Sequence, residues 1–396
     1  MKILFFSEWF SEGMGYSENC LPKALAALGH DVHLVTSNAQ IYYNLPNYKK
    51  IYEPFLGPPL VSCGTRKIDG FTLYRLPFSI LRNYIWVKGL ISIVKQIQPA
   101  IVQSFDPNSL GTLKLALYQS SLQYKLFTES HIHASVITAT GTKRGWTQLL
   151  KSHLQKAIGR RISRQSTMCY SISQDAAEVA VQFFGVNPHR LKVQSLGVDT
   201  DIFHPVTGSL DRDRRKAIRD AIGFAEDTIV AIYTGRLSED KNPYCLAQAI
   251  GMLAQVGTGY RGLFIGDGPQ ADKIKATPGC VVLPFMLSTQ LGDYYRAADI
   301  GVWPKQESTS QLDAACSGLP IIISDRTKVP ERIDGNGLTY RENDVADLFK
   351  KLLDLHEPDT RRRMGILGSE RISKSFSWKA IASIRVADYH EALANR

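Results

Sequence analysis

Short apolar runs and helix-period segments take turns along this chain, and that alternation restricts the fold more than any other feature. In the first half, residues 2–6, 31–37, 101–104, 125–129 and 169–173 read as strands. In the second half, residues 228–233, 261–265, 281–283, 300–303 and 321–323 do the same. Helical patterns separate them, ending near Leu28 and Tyr118 and covering 174–184, 246–256 and 289–298. A strand, a helix and a further strand in series form a right-handed crossover onto a parallel sheet. Both halves are therefore expected to be doubly wound α/β sheets. At 396 residues the chain exceeds what one core ordinarily serves. We expect domains at 1–196 and 197–375, with residues 206–214 as a polar connection and a final helix from 376 carrying Trp378 and Tyr389.

Charge is distributed unevenly between these halves. Residues 1–196 hold 21 Lys plus Arg against 10 Asp plus Glu, whereas the remainder holds 26 against 27. The whole basic excess thus lies in the first half and points to an anionic partner there, with lipid headgroups, a polyanionic glycan and nucleic acid as the classes to weigh. No nucleic-acid motif accompanies it. From Lys143 to Arg164 there are seven basic residues and no acid, with Trp146, Leu149, Leu150, Leu154, Ala157, Ile158 and Ile162 at helical spacing. Such a helix can lie on an anionic membrane, or bury its apolar stripe and merely solvate its basic side. No apolar run reaches the roughly 18 residues of a membrane span. The apolar start is shorter than a signal peptide's and meets Glu8. Six scattered cysteines lack zinc spacing and read as free thiols. These features give the expectation of a cytoplasmic protein, peripheral at the inner face of the membrane if the helix docks there.

The richest stretch runs from Asp299 to Asp325 and reads strand, loop, helix, strand. Pro304 stops the first strand, and residues 305–310 form a polar loop with one acid, Glu307. Ser308, Thr309 and Ser310 are good N-caps, and Ser310 with Asp313 has capping-box spacing. Gly318 supplies the helix's left-handed end, and Pro320 leads into the next strand. A loop opening into a helix at the carboxyl end of a parallel strand presents amide N–H groups to an anion. Acids beside it suit hydroxyl groups, so a nucleotide-linked sugar is the expected ligand. On the loop after residues 228–233, Gly235 allows close approach, Arg236 offers a bidentate fork and Lys241 a point charge for phosphate. In the first half, Gly13-Met14-Gly15 follows the first strand, where the glycines either face a phosphate or only turn the chain. His131 and His133 lie at the carboxyl end of a strand, the usual ligand position of open α/β sheets; no third metal ligand is spaced nearby.

Together, Gly235-Arg236-Leu237 with Lys241, Gly266-Asp267-Gly268-Pro269, Tyr295 through Ala298-Asp299, and Asp313-Ala314-Ala315 with Gly318-Leu319-Pro320 resemble the retaining glycosyltransferases of family 4. Leu196-Gly197-Val198-Asp199 through Phe203-His204-Pro205 is similar to that family's junction. The resemblance implies the GT-B fold: two doubly wound Rossmann-like domains facing a central cleft, acceptor site in the first, nucleotide-sugar site in the second, and a last helix (376–396) crossing back. It also implies retention of configuration and no metal. By position, Arg236 and Lys241 would hold the donor diphosphate, Glu307 the sugar hydroxyls and Asp313 the ribose. Gly15 would approach the diphosphate, and His131, or its rival His133, would face the donor sugar. Gly266, Phe285, Ser308, Thr309 and Ser310 complete the donor-site candidates. The chain departs from the family in one place. Glu307 and Asp313 are closer in sequence than the family's usual glutamate pair, and serines stand where that loop carries glycines. The function implied is transfer of a sugar from a UDP- or GDP-linked donor to a saccharide or lipid-linked saccharide, with no cofactor. Alternatives are a nucleotide-sugar epimerase, for which Glu129 and Asp106 are the first-domain acid–base candidates, and a non-catalytic glycan- or nucleotide-binding protein.

Overall fold

The computed structural model describes residues 1–81, 84–132, 146–327 and 329–395. Packing divides the chain into two compact units: Met1–Glu12, Tyr16–Leu196 and Ile381–Arg396 form one, Gly13–Gly15 and Gly197–Ala380 the other.

The first unit is built on ten strands: β1 (Lys2–Phe6), β2 (Asp31–Ser37), β3 (Gly64–Ile68), β4 (Phe71–Leu76), β5 (Phe78–Leu81), β6 (Tyr84–Val87), β7 (Ile101–Ser104), β8 (Lys125–Ser130), β9 (Met168–Ser171) and β10 (Leu191–Val193). Eight of them make one sheet in the order β10-β9-β8-β7-β1-β2-β4-β3, and β5 and β6 pair as a separate hairpin. Every neighbour in that sheet is parallel except β3 against β4. Strands buried on both faces must be apolar throughout rather than alternating. Ile3, Leu4 and Phe5 of β1 are accordingly solvent-free. Because β2 lies on one side of β1 and β7 on the other, the winding reverses between β1 and β7. Their carboxyl ends therefore flank the crevice where open α/β sheets bind ligands.

The second unit carries β11 (Ile229–Thr234), β12 (Tyr260–Ile265), β13 (Cys280–Leu283), β14 (Ile300–Trp303), β15 (Ile321–Ser324) and β16 (Gly337–Tyr340). They form a wholly parallel sheet in the order β13-β12-β11-β14-β15-β16, with its reversal between β11 and β14. Val230, Ala231 and Ile232 of β11 and Ile321, Ile322 and Ile323 of β15 are fully buried in its core. The strands read from the sequence match β1, β2, β7, β8, β9 and β11 to β15 to within a residue or two, whereas β3 and β16 were not read.

Three expectations need correction. Residues 206–214 do not join the units but lie within the second, where a helix, Ser209–Ala221, begins inside them and buries Arg219. Arg219 donates to Asp299 and to four main-chain carbonyls, an attachment that its polar sequence conceals. The capping box at Ser310 and Asp313 does not form. That helix runs Ser310–Cys316 with Thr309 at the N-cap in helical conformation, and no side chain caps it. Finally, the chain closes with two helices, Pro358–Phe376 and Trp378–Ala394, broken at Ser377, and only residues from Ile381 pack with the first unit.

The basic segment forms the helix Trp146–Gln165. Ile158 and Ile162 are buried in the first unit's core, while Leu154, Arg160, Arg161 and Arg164 are exposed. Lys143, Arg144 and His133 lie outside the described residues. No helix among the described residues is long and apolar enough to cross a membrane.

Candidate functional site

In the second unit the predicted residues gather along one edge of the sheet, at the carboxyl ends of β11 to β14. Gly235, Arg236 and Lys241 follow β11, Gly266 follows β12, Phe285 follows β13, and Glu307 to Asp313 follow β14. Gly266 has φ +152°, and a Cβ there would sit 1.9 Å from the Gly235 carbonyl oxygen. Its glycine is thus dictated by the close pass of two loops. Across the β11/β14 reversal, Lys241 Nζ donates to the Glu307 main-chain oxygen at 2.9 Å. Burial pulls the Lys241 ammonium below its ordinary pKa, with Asp240 opposing that fall.

Glu307 itself is held by a residue the sequence reading missed. Arg332, only 2% exposed, lies on the short helix Pro330–Ile333 after β15 and pairs with the Glu307 carboxylate. It also donates to the Ser308 carbonyl at 2.9 Å and Gln311 Oε1 at 3.0 Å. A half-buried loop acid is held by a buried cation. No local signal marks Arg332 in the sequence: it is one basic residue two places after Pro330, on the helix that follows β15. Within the loop, Gln306 takes φ +64°, a left-handed conformation that costs a non-glycine residue energy and is offset by these bonds. Ser308 Oγ accepts from the Ser310 amide, Thr309 is exposed, and Ser310 opens the helix.

Arg236 is 70% exposed, and among the described residues its ion pair is with Asp240, at 3.2 Å. Its fork is therefore available to a ligand at little cost. Asp313 behaves in the opposite way: burial, and then the neighbouring Asp199 charge, push its carboxyl up to about 8. Asp299 accepts from Arg215, Arg219 and the Val230 amide, each at 2.7 Å, at the amino end of β14. That motif residue joins the helix Ser209–Ala221 to the sheet, away from the carboxyl-end cluster. Gly15 packs with the second unit at φ +69°, and an added Cβ would lie 2.4 Å from Ser288 Oγ.

The first unit presents a different arrangement at the end of β8. His131 Nε2 bonds Glu129 Oε1 at 2.8 Å, and its ring stands edge-on to Phe105 with centroids 6.4 Å apart. Glu129 is wholly buried. Its Oε1 also accepts from Ser17 Oγ at 3.0 Å, and Oε2 accepts from Gln103 at 2.8 Å and Arg385 at 3.1 Å. Burial alone would raise this carboxyl, but Arg385 first, and then His131 and Ser17, hold it down at about 2. All four lone-pair directions are used, so Glu129 has no capacity left for the acid–base work an epimerase would ask of it. Asp106, the other acid considered there, lies after β7 with its carboxyl pushed up to about 6 by burial; Glu8 beside it is pushed up to about 8 by burial and the Asp106 charge. Among the described residues no group of three or more His, Cys, Asp or Glu is placed to hold a metal ion.

Comparison with known proteins agrees with this architecture. Residues 228–357 match the family described as glycosyl transferases group 1, and residues 20–202 match glycosyltransferase family 4. The alpha-monoglucosyldiacylglycerol synthase of Acholeplasma laidlawii is 23% identical over 399 residues, covering 96% of this chain and 94% of that protein. Among solved structures, sucrose-phosphate synthase from Thermosynechococcus elongatus superposes with a TM-score of 0.69 at 18% identity, with all of both chains covered. Anabaena HepE in complex with UDP-glucose gives 0.65 at 16%, again over the whole of both chains. The chain belongs to glycosyltransferase family 4 and has the GT-B fold.

Proposed function

We propose that this glycosyltransferase moves a sugar, with retention of configuration and without a metal, from a UDP- or GDP-linked donor held by the second unit. The acceptor, held by the first unit, is a saccharide or a lipid-linked saccharide. The observation that carries the reading is the Lys241–Glu307–Arg332 cluster across the β11/β14 reversal, beside the exposed Arg236. As the bond to the nucleoside diphosphate breaks, negative charge grows on the leaving phosphate. Arg236 and Lys241 are the groups assigned to stabilise it. The helix Ser310–Cys316 is too short for its dipole to replace them.

Glu307, oriented by Arg332, is assigned to the hydroxyls of the donor sugar, and Asp313 to the ribose. A carboxyl titrating near 8 is protonated at neutral pH, so Asp313 can donate to one ribose hydroxyl and accept from another. Gly15 and Gly266 keep the backbone near the diphosphate free of side chains, and Ser308, Thr309 and Ser310 offer hydroxyls and amides to it. Phe285 is assigned to the base. His131 is assigned to the transferred sugar. The departing phosphate takes the acceptor's proton on the same face, which needs no protein nucleophile. UDP-glucose in the Anabaena relative and the diacylglycerol in the Acholeplasma relative's name support a sugar-nucleotide donor and an acceptor at a membrane. The exposed Leu154, Arg160, Arg161 and Arg164 favour an anionic surface, in keeping with a cytoplasmic protein peripheral to the membrane.

The test is turnover with UDP-, GDP-, ADP- and TDP-sugars, with and without EDTA, followed by the anomeric configuration of the product. One nucleotide class should support transfer with retention and no loss in EDTA. Inversion, or loss of turnover in EDTA, would overturn the mechanism. Sedimentation with anionic but not neutral vesicles checks the membrane surface.

A further inference from the structure

We infer that Glu129, clamped by residues of the final helix, is a positioning residue that turns His131 so that Nε2 is engaged and the Nδ1 edge faces the ligand. This rests on the assignment of His131 to the transferred sugar. Three features carry it. First, Glu129 binds His131 through Oε1, while Oε2 is gripped by Arg385 and Gln103, so the carboxylate cannot rotate. Second, the grip is itself anchored. Tyr389 donates to Gln103 Oε1, which fixes the amide, and the Arg385 guanidinium lies 3.1 Å from the centre of the Tyr170 ring. Third, the Phe105 ring stands against the imidazole. Among the described residues no protein group bonds Nδ1.

The surroundings also set the charge of the ring. Burial works against an imidazolium, but Glu129, through its hydrogen bond and its charge, and then Glu18 on the helix Ser17–Ala27 raise the His131 pKa; Arg385 opposes them. Asp106, after β7, is the remaining acid that interacts with the ring. With the proton retained, Nδ1 is a donor suited to a sugar hydroxyl or to developing negative charge. Without the Glu129 carboxylate the imidazolium is less favoured, and a neutral ring with its proton on Nε2 offers Nδ1 as an acceptor.

The experiment is ¹⁵N-histidine NMR titration of the intact protein, with His131→Gln to identify the signal. In Glu129→Gln the His131 midpoint should fall by about one pH unit or more. In Tyr389→Phe, which keeps the packing but frees Gln103, it should move the same way by less. If Glu129→Gln does not fold, the Tyr389→Phe titration decides alone. An unmoved midpoint in a folded variant overturns the proposal, whatever happens to activity. On the activity side, the high-pH limb of kcat/KM should move to lower pH together with the NMR midpoint. A shifted midpoint with an unchanged pH–rate profile would leave the positioning intact and remove His131 from the reaction, so the two readings fail separately.

Discussion

The two regions proposed to meet ligands are built in contrasting ways. In the second unit the working groups stand on two loops at the sheet's reversal. One, Arg236, is nearly free, and the others are tied by short bonds to main chain and to Arg332. In the first unit one side chain, His131, is backed by a carboxylate with four donors drawn from four separate stretches of chain. The difference teaches that exposed charge is kept where a polyanion must arrive, and saturated charge where a ring must be aimed. A free fork costs little and can adapt, whereas aiming needs every neighbour in place.

That contrast can be broken by substitution. Arg385→Ala should be the most damaging, costing about 4 kcal/mol in urea unfolding because Glu129 would be left buried with its main counter-charge gone. Arg332→Ala should cost about 3 kcal/mol, less because Glu307 keeps some solvent. If Arg385→Ala proved the milder of the two, the first region would not be the more tightly wired. Gly266→Ala should follow at about 2 kcal/mol, since its new methyl meets the Gly235 carbonyl, and it should weaken sugar-nucleotide binding as the loops part. Arg236→Ala should leave stability within about 0.5 kcal/mol of native yet abolish most of the melting-temperature rise given by the donor. A stability loss without a ligand effect would show that its fork is structural.

The pH dependence of stability should have opposite signs in the two regions. Glu129 titrates near 2 when folded against an ordinary 4.5, so its contribution is complete above about 4.5 and disappears as pH falls towards 2. Asp313 titrates near 8 against 3.8, so the folded state holds a proton the unfolded state has lost. Stability then declines as pH rises from about 4 to about 8. Asp313→Asn should erase that decline, and Glu129→Gln the acid-side loss, in unfolding measured across pH.

How much of this could be read in advance follows from sequence separation. The strands and the positions of Gly235, Arg236, Lys241 and Glu307 were legible because each of these residues lies on a loop next to a strand whose apolar run announces it, and Asp313 because it opens the helix that follows. The capping box failed because the loop's own bonds, with Gln306 left-handed and Arg332 on the Ser308 carbonyl, tie the helix start in place without a side-chain cap. Arg332 was missed because nothing local distinguishes a cation that will be buried from one that will be solvated. The first region was legible only as a histidine at a strand end. Its partners come from residues 17, 103 and 385, and no periodicity reports such meetings.

The separation has one more consequence, in the timing of synthesis. Glu129 and Arg385 are 256 residues apart. While a ribosome is still making the second sheet, β8 already exists but the guanidinium that neutralises Glu129 does not. The growing chain must either keep that carboxylate wet or protonated, and in either state His131 is not aimed. A chain stopped before Ile381 would carry the whole phosphate-facing loop and still be unable to aim its histidine. The aimed geometry of the first region therefore arrives as a late step of synthesis.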